Sequence, residues 1–486
     1  MKSMRRNWAG ALCALAAALP MVPAGADAGN PGGDGVEELP ALGTNPQTDS
    51  NPLQAPAPAQ PAQEVSREAD ALRSGEVPAS LDIGTAVALT LARHPEIARA
   101  NAALARGRAD LGAAKAAWLP RLSYQANLGP QMFSGTNTSG VNENMAGPSL
   151  YLQQQVWDFG RTRNEVSAAK YTTGERWYQR EAMADQLAEQ AALSFLEVRR
   201  FELLLVAARQ QVEDLSHLRK LIGYRVNAGV SDKSDLMLAD VRVESARADA
   251  IQAETSMAMA EASLANLTGG MAERYADPSA RISRFEPVDE APDYDSLPAV
   301  VAAQQAADAA RSRKQQAKSE RYPRLGLQLG YTRNNYTYNT RDNAVTAVVT
   351  VSGDLFRPAQ HYEVEAAGED QRAAEAARDV AVIEARGRAM TAQQEIRAGR
   401  MRIDTYARQE EQAVTASRIF FEEYKLGKRT LTELLNTQLE IYRASSARIL
   451  AEYDIMEARV RFENLCGTLR PSLGLPARLA QDGDMQ

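Results

Sequence analysis

The chain has 486 residues, of which 44% are hydrophobic and 24% are charged, and its net charge is −7. This is the composition of an ordinary folded protein, long enough for one large domain or for two or three average ones. A mildly acidic chain gives no support for nucleic-acid binding, so DNA and RNA are not expected partners.

The N-terminus is predicted to be a signal peptide, residues 1–26. Basic residues precede the apolar run Ala9–Leu19, which is too short to span a bilayer, and the small residues Ala24–Ala26 form a cleavage site. The mature chain is therefore expected to begin at Asp27, outside the inner membrane. Cys13 follows a leucine, whereas a bacterial lipidation site has a small residue there, so we interpret Cys13 as part of the signal.

Residues 27–79 are predicted to be a disordered leader. They are rich in proline, alanine, glycine and glutamine, as in NPLQAPAPAQPAQ, and cannot bury a core. A simple linker is the first interpretation, and a wall-spanning or partner-binding tail is the alternative. Cys466 is the only cysteine after the signal peptide, so no intrachain disulfide is expected.

The first ordered elements are a helix and two strands. Apolar residues at helical spacing predict a helix over Asp82–Ala117, interrupted at His94–Pro95 because a residue before proline is pushed out of the helical conformation. From Leu122 apolar and polar residues alternate, which is typical of a strand with one apolar face. A polar loop then leads to a second strand over Ser149–Val156.

A very long helix is predicted after Gly160. No proline and almost no glycine occur until Gly223, and roughly 65 residues would make a helix of roughly 100 Å, typical of a coiled coil or a helical barrel. A second helix is predicted over Ser234–Thr268. Gly269–Gly270 ends it, and the proline-containing segment 271–294 is expected to be irregular.

The same order of elements then occurs again. A helix is predicted over Leu297–Ser319, and alternating strands are predicted from Leu325 and from Val345. A second long helix is expected over Pro358–Leu426 and a last helix over Leu431–Leu465.

Three sequence blocks show that this order is an internal repeat. AKAAWLPRLSYQANLG, Ala114–Gly129, matches AKSERYPRLGLQLGYT, Ala317–Thr332. The glycine-containing turns after the long helices also match, as do ANLTG and ENLCG. The ordered part of the chain is therefore predicted to consist of a first repeat over 80–290 and a second repeat over 291–470, followed by a C-terminal tail over 471–486.

The expected helix lengths fit one another. Each long helix has roughly 65 residues, and the helices before the strands and after the turns have roughly 35 each. Two short helices placed end to end would then match one long helix.

The alternation of apolar and polar residues in the four strands is typical of a transmembrane β-barrel, with apolar side chains outward and polar side chains inward. Four strands in one chain cannot close such a barrel, and open sheet edges are not tolerated in a bilayer. Closure needs about eight strands or more, and hence at least two chains, whereas three chains would give twelve strands and a lumen. Aromatic residues at or near the strand ends suit an interfacial girdle. They are Tyr124, Tyr151, Trp157, Tyr331, Tyr336 and Tyr338.

Over Ser80–Leu469 the chain resembles the TolC family of trimeric outer-membrane exit ducts. The similar stretches are ASLDIGTAVALTLARHPEIARA, the paired AKxxxxPRL blocks, VWDFGRTRNEV, and the two turns GYRVNAGVSDKSDLMLADV and EYKLGKRTLTELLNTQLEI. The resemblance implies a mainly α fold with transmembrane β: a homotrimer with a twelve-stranded barrel, four strands from each chain, in outer-membrane lipid, and a long α-helical barrel across the periplasm. It implies a duct without cofactors that docks an inner-membrane transporter through a periplasmic adaptor, or membrane fusion protein.

Two kinds of duct fit this resemblance. Type I secretion ducts export whole proteins with an ABC transporter, and multidrug-efflux ducts export small molecules with proton-driven pumps. The HPEI…AKAAWLPRLS and VWDFGRTR stretches and the absence of a lipid-anchor cysteine resemble type I secretion members more. Type I secretion is therefore expected, drug efflux is the alternative, and a coiled-coil scaffold without a channel is a remote alternative.

The resemblance implies that acidic residues just past each turn ring the periplasmic entrance. Asp235 and Glu433 match one such position, and Asn436 matches a position one turn later. Asp232 is predicted to belong to the same entrance. Such rings would attract cations and could bias opening. A local interpretation remains open, since Thr430-x-x-Glu433 has the spacing of a capping box and Asp232-x-x-Asp235 resembles one.

The two turns, called tips below, are expected to end the long helices at glycines with positive φ. The resemblance implies that the tip surface takes the hairpin of an adaptor, and packing of the turn itself is the alternative. The expected contact residues are Gly229, Val230, Leu426, Gly427, Lys428, Arg429 and Leu431.

A helix-to-barrel junction is predicted at the other end of the long helices. Pro120 and Pro323 mark the change from helix to strand, because proline ends a helix and presets an extended entry. Trp157 and Gly160 mark the return to helix, and Asp158–Gly160 is interpreted as a turn.

No pattern of catalytic residues is found in the sequence. No Ser-His-Asp spacing, P-loop or dinucleotide fingerprint occurs. His94, His217 and His361 are far apart and have no cysteine partners, so no metal site is expected. The protein is therefore predicted not to be an enzyme.

Overall fold

The computed structural model describes residues 77–131, 143–283, 285, 292–335 and 341–479. The predicted signal peptide, most of the predicted leader, and Tyr336 and Tyr338 of the predicted girdle lie outside the described residues. None of the helices in these ranges combines the length and the apolar character that crossing a membrane requires.

The first half of the chain follows the predicted order of elements. The break at His94 is confirmed: Nδ1 of His94 accepts the N–H of Glu96 at 3.3 Å, and Pro95 occupies the first position of the next helix. The elements are β1 (Ser80–Leu81), α1 (Ile83–Arg93), α2 (Pro95–Ala116), β2 (Arg121–Gln131), β3 (Glu143–Trp157), α3 (Arg161–Asn227) and α4 (Lys233–Thr268).

The second half repeats this order after a short connecting region. The predicted bounds of the last long element, Leu431 and Leu465, are confirmed. The elements are β4 (Arg274–Tyr275), α5 (Ser279–Ile282), a 3₁₀ turn (Tyr294–Ser296), α6 (Pro298–Ser319), β5 (Arg324–Asn335), β6 (Arg341–Ser352), α7 (Ala359–Lys425), α8 (Leu431–Leu465) and α9 (Leu469–Ser472).

The segment 271–294 is not irregular throughout, so that expectation is wrong in part. Its strand β4 pairs in parallel with β1, with Ser80 opposite Arg274 and Leu81 opposite Tyr275. A two-residue strand is too short to show a period in the sequence. The pairing also depends on backbone from a distant part of the chain, which a local pattern does not contain.

The helix lengths agree with the expectation in the first half of the chain and differ from it in the second. In the first half α1 and α2, which have 11 and 22 residues on either side of the predicted break, and α4, which has 36, together match the 67 residues of α3. In the second half α6 and α8 have 22 and 35 residues, fewer together than the 67 of α7, because α6 begins only at Pro298.

The four long strands form one antiparallel sheet in the order β2-β3-β5-β6. Its register places the alternating apolar residues in common rows: Leu122 lies opposite Leu152, and Leu152 lies opposite Leu329. The predicted period of two is therefore confirmed as one apolar face across all four strands. The exposed members of this face are Leu122, Tyr124, Leu150, Leu327, Leu329, Tyr331, Val345, Val349 and Val351.

The other face of the sheet is mostly polar. Gln153 pairs with Gln328, and Gly326 pairs with Thr350. A register shift between Gln155 and Trp157 places Trp157 opposite Leu325, in the apolar rows. A bulge of this kind re-aims a side chain at the end of a strand, so Trp157 follows the apolar face although simple alternation would predict otherwise.

The long helices pack in pairs toward the tips. Arg209 of α3 reaches Glu254 of α4 at 3.1 Å, and Arg448 of α8 reaches Glu410 of α7 at 2.6 Å. Nearer the sheet, α6 lies between the two long helices. Arg313 of α6 donates to Thr172 of α3 at 3.0 Å.

The largest apolar core lies midway along the long helices, where α1, α3, α4 and α8 meet. Beside it, the segment after α8 is fastened to α3 by a buried ion cluster. Arg470 contacts Glu181 at 2.9 Å and Asp185 at 2.8 Å, and Glu181 also accepts the N–H of Leu479 at 3.2 Å. Burial raises the pKa of Asp185 to about 6, and the neighbouring Arg470 only partly offsets this effect.

Candidate functional site

The two tips end the long helices with the same backbone geometry. Gly229 has φ 71° and Gly427 has φ 72°, so the predicted positive φ is confirmed. In the first tip the N–H of Val230 donates to the carbonyl of Arg225 at 2.8 Å. In the second the N–H of Lys428 donates to the carbonyl of Glu423 at 2.9 Å. This pattern closes a helix C-terminus around a left-handed residue, which glycine adopts without steric cost.

The helices that leave the tips begin differently. The predicted capping box is confirmed in the second tip: Thr430 Oγ1 accepts the N–H of Glu433 at 3.3 Å, and Glu433 accepts the N–H of Thr430 at 3.0 Å. In the first tip the side chain of Asp232 makes no capping hydrogen bond, so that interpretation is wrong for Asp232–Asp235. The N–H of Asp235 instead donates to the backbone carbonyl of Asp232 at 3.1 Å.

Glu433 is part of a small charged network. Arg429 lies between two carboxylates, at 2.9 Å from Glu433 and 2.8 Å from Glu423, and its guanidinium group lies 4.3 Å from the ring centre of Phe420. Hydrogen bonds from Thr430 and from Arg429 lower the pKa of Glu433. Glu433 therefore stays ionised, but a cation on the same tip balances part of its charge.

Asp235 occupies the matching place in the first tip without such a network. Among the described residues, its carboxylate makes no ion pair or side-chain hydrogen bond. The two predicted acidic positions are therefore unlike, because the second tip supplies an arginine where the first does not.

The two tips are joined to each other, which the sequence does not reveal. Arg225 of the first tip donates to the carbonyl of Lys425 in the second at 3.4 Å, and its guanidinium group lies 4.9 Å from the ring centre of Tyr424. Arg242 of α4 donates to Asn436 of α8 at 3.4 Å. Asn436 thus lies at the contact between the two hairpins.

The predicted contact surface is only partly exposed. Val230 and Leu426 expose 62% and 71% of their surfaces, and Lys428 is also exposed. Leu431 is 4% exposed, so its prediction as a surface contact is wrong. It begins α8 and packs into the apolar cluster beneath the tips with Leu218, Ile222, Tyr424 and Leu434.

The junction lies at the other end of the long helices. Pro120 and Pro323 directly precede β2 and β5, and Gly160, with φ 89°, directly precedes α3. The predicted turn at Asp158–Gly160 is confirmed by the hydrogen bond from the N–H of Gly160 to Asp158 at 3.1 Å. The ring of Phe159 stacks on Tyr322 at 5.0 Å, which ties the first junction to the second.

Chemistry at a metal centre finds no support in the described ranges, where no group of three or more His, Cys, Asp and Glu residues could hold a metal ion.

Comparison with solved structures shows the same fold. The outer-membrane channel OprN has a TM-score of 0.70 at 20% identity, with 80% of this chain and 91% of that chain covered. CusC, described in terms of folding and transmembrane channel formation, has a TM-score of 0.72 at 14% identity, with 86% and 98% covered. The outer membrane protein VceC from Vibrio cholerae has a TM-score of 0.70 at 17% identity, with 80% and 96% covered.

Sequence comparison identifies the family. No curated protein sequence matches the chain. The family model described as outer membrane efflux protein matches residues 86–270 and 295–468, which include both tips and most of each half. The protein therefore belongs to the outer membrane efflux protein family, a family of TolC-like channels that lie in the outer membrane and extend into the periplasm.

Proposed function

We propose that the protein is a passive, trimeric exit duct of a tripartite export system, gated at its two tips. The observation that carries this proposal is one four-stranded sheet, apolar on one face and polar on the other, joined to two helices of 67 residues each. An apolar face suits lipid, a polar face suits a water-filled lumen, and each long helix would extend roughly 100 Å from the membrane.

The edges of the sheet support a trimer. In the described part of the chain, β2 and β6 are the edge strands of the sheet, and each has a hydrogen-bonded neighbour on one side only. Unpaired backbone groups are not tolerated in lipid, and closure needs about eight strands or more. Three copies supply twelve strands, with β6 of one copy paired to β2 of the next.

Exposed apolar stripes on the helices support the same assembly. One stripe on α4 and one on α7 follow helical spacing and remain exposed in the single chain. Packing α4 of one copy against α7 of the next would bury both stripes. They are Met237, Val241, Ile251 and Met259 on α4, each 61–69% exposed, and Ile383, Met390, Met401 and Ile419 on α7, each 51–68% exposed.

The tips are proposed to form the periplasmic entrance. Three copies of Asp235 would repel one another and attract cations, since this carboxylate has no cation of its own among the described residues. Glu433 would contribute less charge because Arg429 lies 2.9 Å away. Opening of the entrance would have to break hydrogen bonds between the two hairpins, such as the one from Arg242 to Asn436.

The exposed tip residues are proposed to contact a periplasmic adaptor. Val230 and Leu426 are apolar and exposed, and the second tip adds Lys428, whereas the first adds Asp232 and Lys233, all of them exposed. The adaptor would therefore meet two unlike surfaces on each chain. The transporter beyond it would supply the energy.

For the cargo, we propose type I protein secretion with an ABC transporter. The stretches HPEI…AKAAWLPRLS and VWDFGRTR, which resemble type I secretion members, support this choice. Drug efflux with a proton-driven pump is the second candidate, because the matching family model is described as an efflux protein.

Conductance in planar bilayers tests the duct. We expect the purified protein to form pores, and Asp235→Ala to lower the open fraction at a given voltage, because the substitution removes the mutual repulsion of three carboxylates that favours separation of the tips. The absence of pores at any voltage, also for Asp235→Ala combined with Glu433→Ala, would favour a scaffold without a channel.

Deletion of the gene separates the two cargo classes. Loss of one large secreted protein with unchanged drug sensitivity supports type I secretion. Increased drug sensitivity with an unchanged set of secreted proteins contradicts it and supports efflux.

A further inference from the structure

The repeated Pro-Arg-Leu sequence places an arginine at the start of two strands. It occurs as Pro120-Arg121-Leu122 at β2 and as Pro323-Arg324-Leu325 at β5. Each leucine lies in the apolar rows of the sheet. Because neighbouring strand residues face opposite sides, Arg121 and Arg324 belong to the polar face.

The neighbours of these arginines on the polar face are uncharged. Arg121 lies opposite Gln153, and Arg324 lies opposite Ser352. A cleft of about 640 Å³ at this end of the sheet is lined by Arg121 together with amide and hydroxyl side chains. These are Gln153, Gln154, Gln155, Gln328 and Thr350, and the remaining lining residues are apolar, so Arg121 is the one charged residue of the cleft lining.

Neither guanidinium group is balanced by a nearby acid. Both arginines are exposed, and among the described residues neither forms an ion pair or a side-chain hydrogen bond. The nearby carboxylate of Glu320 is held by Arg161 at 3.2 Å. Asp354, which follows β6, pairs with neither arginine.

The acidic strand residues lie at the opposite end of the sheet. Glu143 pairs with Gln131, and Asp342 pairs with Asn334, both at the far ends of their strands. Among the strand residues, the charges at the end where the strands meet the helices are therefore cationic, and the acids at this end lie in the turns beyond the strands: Asp354 after β6, and Asp158 after β3, where it accepts the N–H of Gly160.

We propose that Arg121 and Arg324 form an anion-selective ring at the base of the barrel. The proposal rests on the trimeric duct proposed above, in which the polar face lines the lumen and three copies contribute two arginines each. Arginine rings favour anions in pores, and guanidinium groups bind carboxylates with paired hydrogen bonds. The ring would hold carboxylate groups of the cargo as it passes from the helical barrel into the β-barrel.

The size of the effect follows from Coulomb's law. In water, one unit charge about 8 Å from a passing ion changes the local concentration of that ion about two-fold. This effect should weaken at about 1 M salt, where the screening length is about 3 Å.

Ion selectivity in planar bilayers tests the ring, with the reversal potential measured across a KCl gradient at low salt. We expect Arg121→Gln combined with Arg324→Gln to lower the chloride-to-potassium permeability ratio by about two-fold or more. Arg121→Lys combined with Arg324→Lys should keep the ratio near that of the unchanged protein. Arg333→Gln is the matched control, because Arg333 is an exposed residue of β5 whose register places it on the apolar face.

The outcomes distinguish this proposal from the duct itself. If the unchanged protein forms no pores, the proposed duct function is wrong. If it forms pores whose permeability ratio is the same in the double glutamine variant, or if Arg333→Gln changes the ratio as much as the double glutamine variant does, the proposed ring is wrong and the proposed duct is unaffected.

Discussion

Arg470 is expected to be a major determinant of stability, because it holds the segment after α8 on the side of α3. Its side chain is 3% exposed, and it contacts Glu181, which is 1% exposed, and Asp185. Replacement by methionine keeps much of the side-chain volume but removes the cation. Glu181 and Asp185 then remain close together in a buried site, with Arg180 3.4 Å from Glu181 as the remaining cation.

The expected loss can be estimated from this geometry. Removing one partner of a buried ion pair costs about 3–5 kcal/mol, because the remaining charge stays buried without compensation. For roughly 400 ordered residues, unfolding entropy is about 0.8 kcal/mol/K, so a loss of about 4 kcal/mol lowers Tm by about 5 °C. The loss should be smaller near pH 5 than near pH 8, because protonation of Asp185, whose pKa is raised to about 6, removes one of the buried negative charges.

Tryptophan fluorescence during thermal unfolding measures this effect in the detergent-solubilised protein. Trp177 is 8% exposed and lies on α3 near Glu181, and the guanidinium group of Arg478 lies 5.5 Å from its ring centre. Its emission therefore reports whether the C-terminal segment stays in place.

A triple variant controls for simple loss of packing. Arg470→Met with Glu181→Gln and Asp185→Asn has no unpaired carboxylate, so it should recover most of the stability lost by Arg470→Met alone. An unchanged Tm for Arg470→Met at pH 8, or a triple variant no more stable than the single one, would refute the reasoning.

Further predictions concern pH and the tips. Because the pKa of Asp185 is raised to about 6 in the folded protein, above about 3.9 in an unfolded chain, folded Asp185 binds a proton more tightly. This residue should therefore make the protein more stable as pH falls from about 7 to about 4, and Asp185→Asn should remove that part of the pH dependence of Tm. Thr430→Ala should weaken the start of α8 by about 1 kcal/mol, seen as faster amide hydrogen exchange there, whereas Asp232→Ala, which removes no cap, should change α4 by less than about 0.5 kcal/mol. Gly229→Ala and Gly427→Ala should each cost about 1–2 kcal/mol because alanine is strained at positive φ, and equal urea midpoints for variant and unchanged protein would contradict this.

The local elements of the fold were predictable from the sequence. Gly229 and Gly427 end helices because a left-handed residue is needed there, and the helix break at His94 follows from Pro95. The apolar face of the sheet follows from a period of two, and the capping box follows from the spacing of Thr430 and Glu433. These features depend on a few neighbouring residues.

Other parts of the candidate site depend on contacts between distant residues. The sequence predicted Leu431 on the surface, but the cluster beneath the tips buries it. It also gave no sign that Arg225 contacts Tyr424, or that Asp232 would make no cap. Whether a polar or apolar group at a helix end is exposed depends on which other helix lies beside it.

The sequence by itself determined the order of helices and strands, the duplication and the resemblance to a family of ducts, because steric limits on the backbone and side-chain periodicity act over short stretches. Only the tertiary structure decided which charges pair with each other. Glu433 pairs with Arg429, Asp235 has no ion-pair partner in the described chain, and Arg470 is buried between two carboxylates. The free energy of a charge depends on its burial and on the charges within a few ångströms. Residues far apart in the sequence, such as Arg470 and Glu181, provide those surroundings.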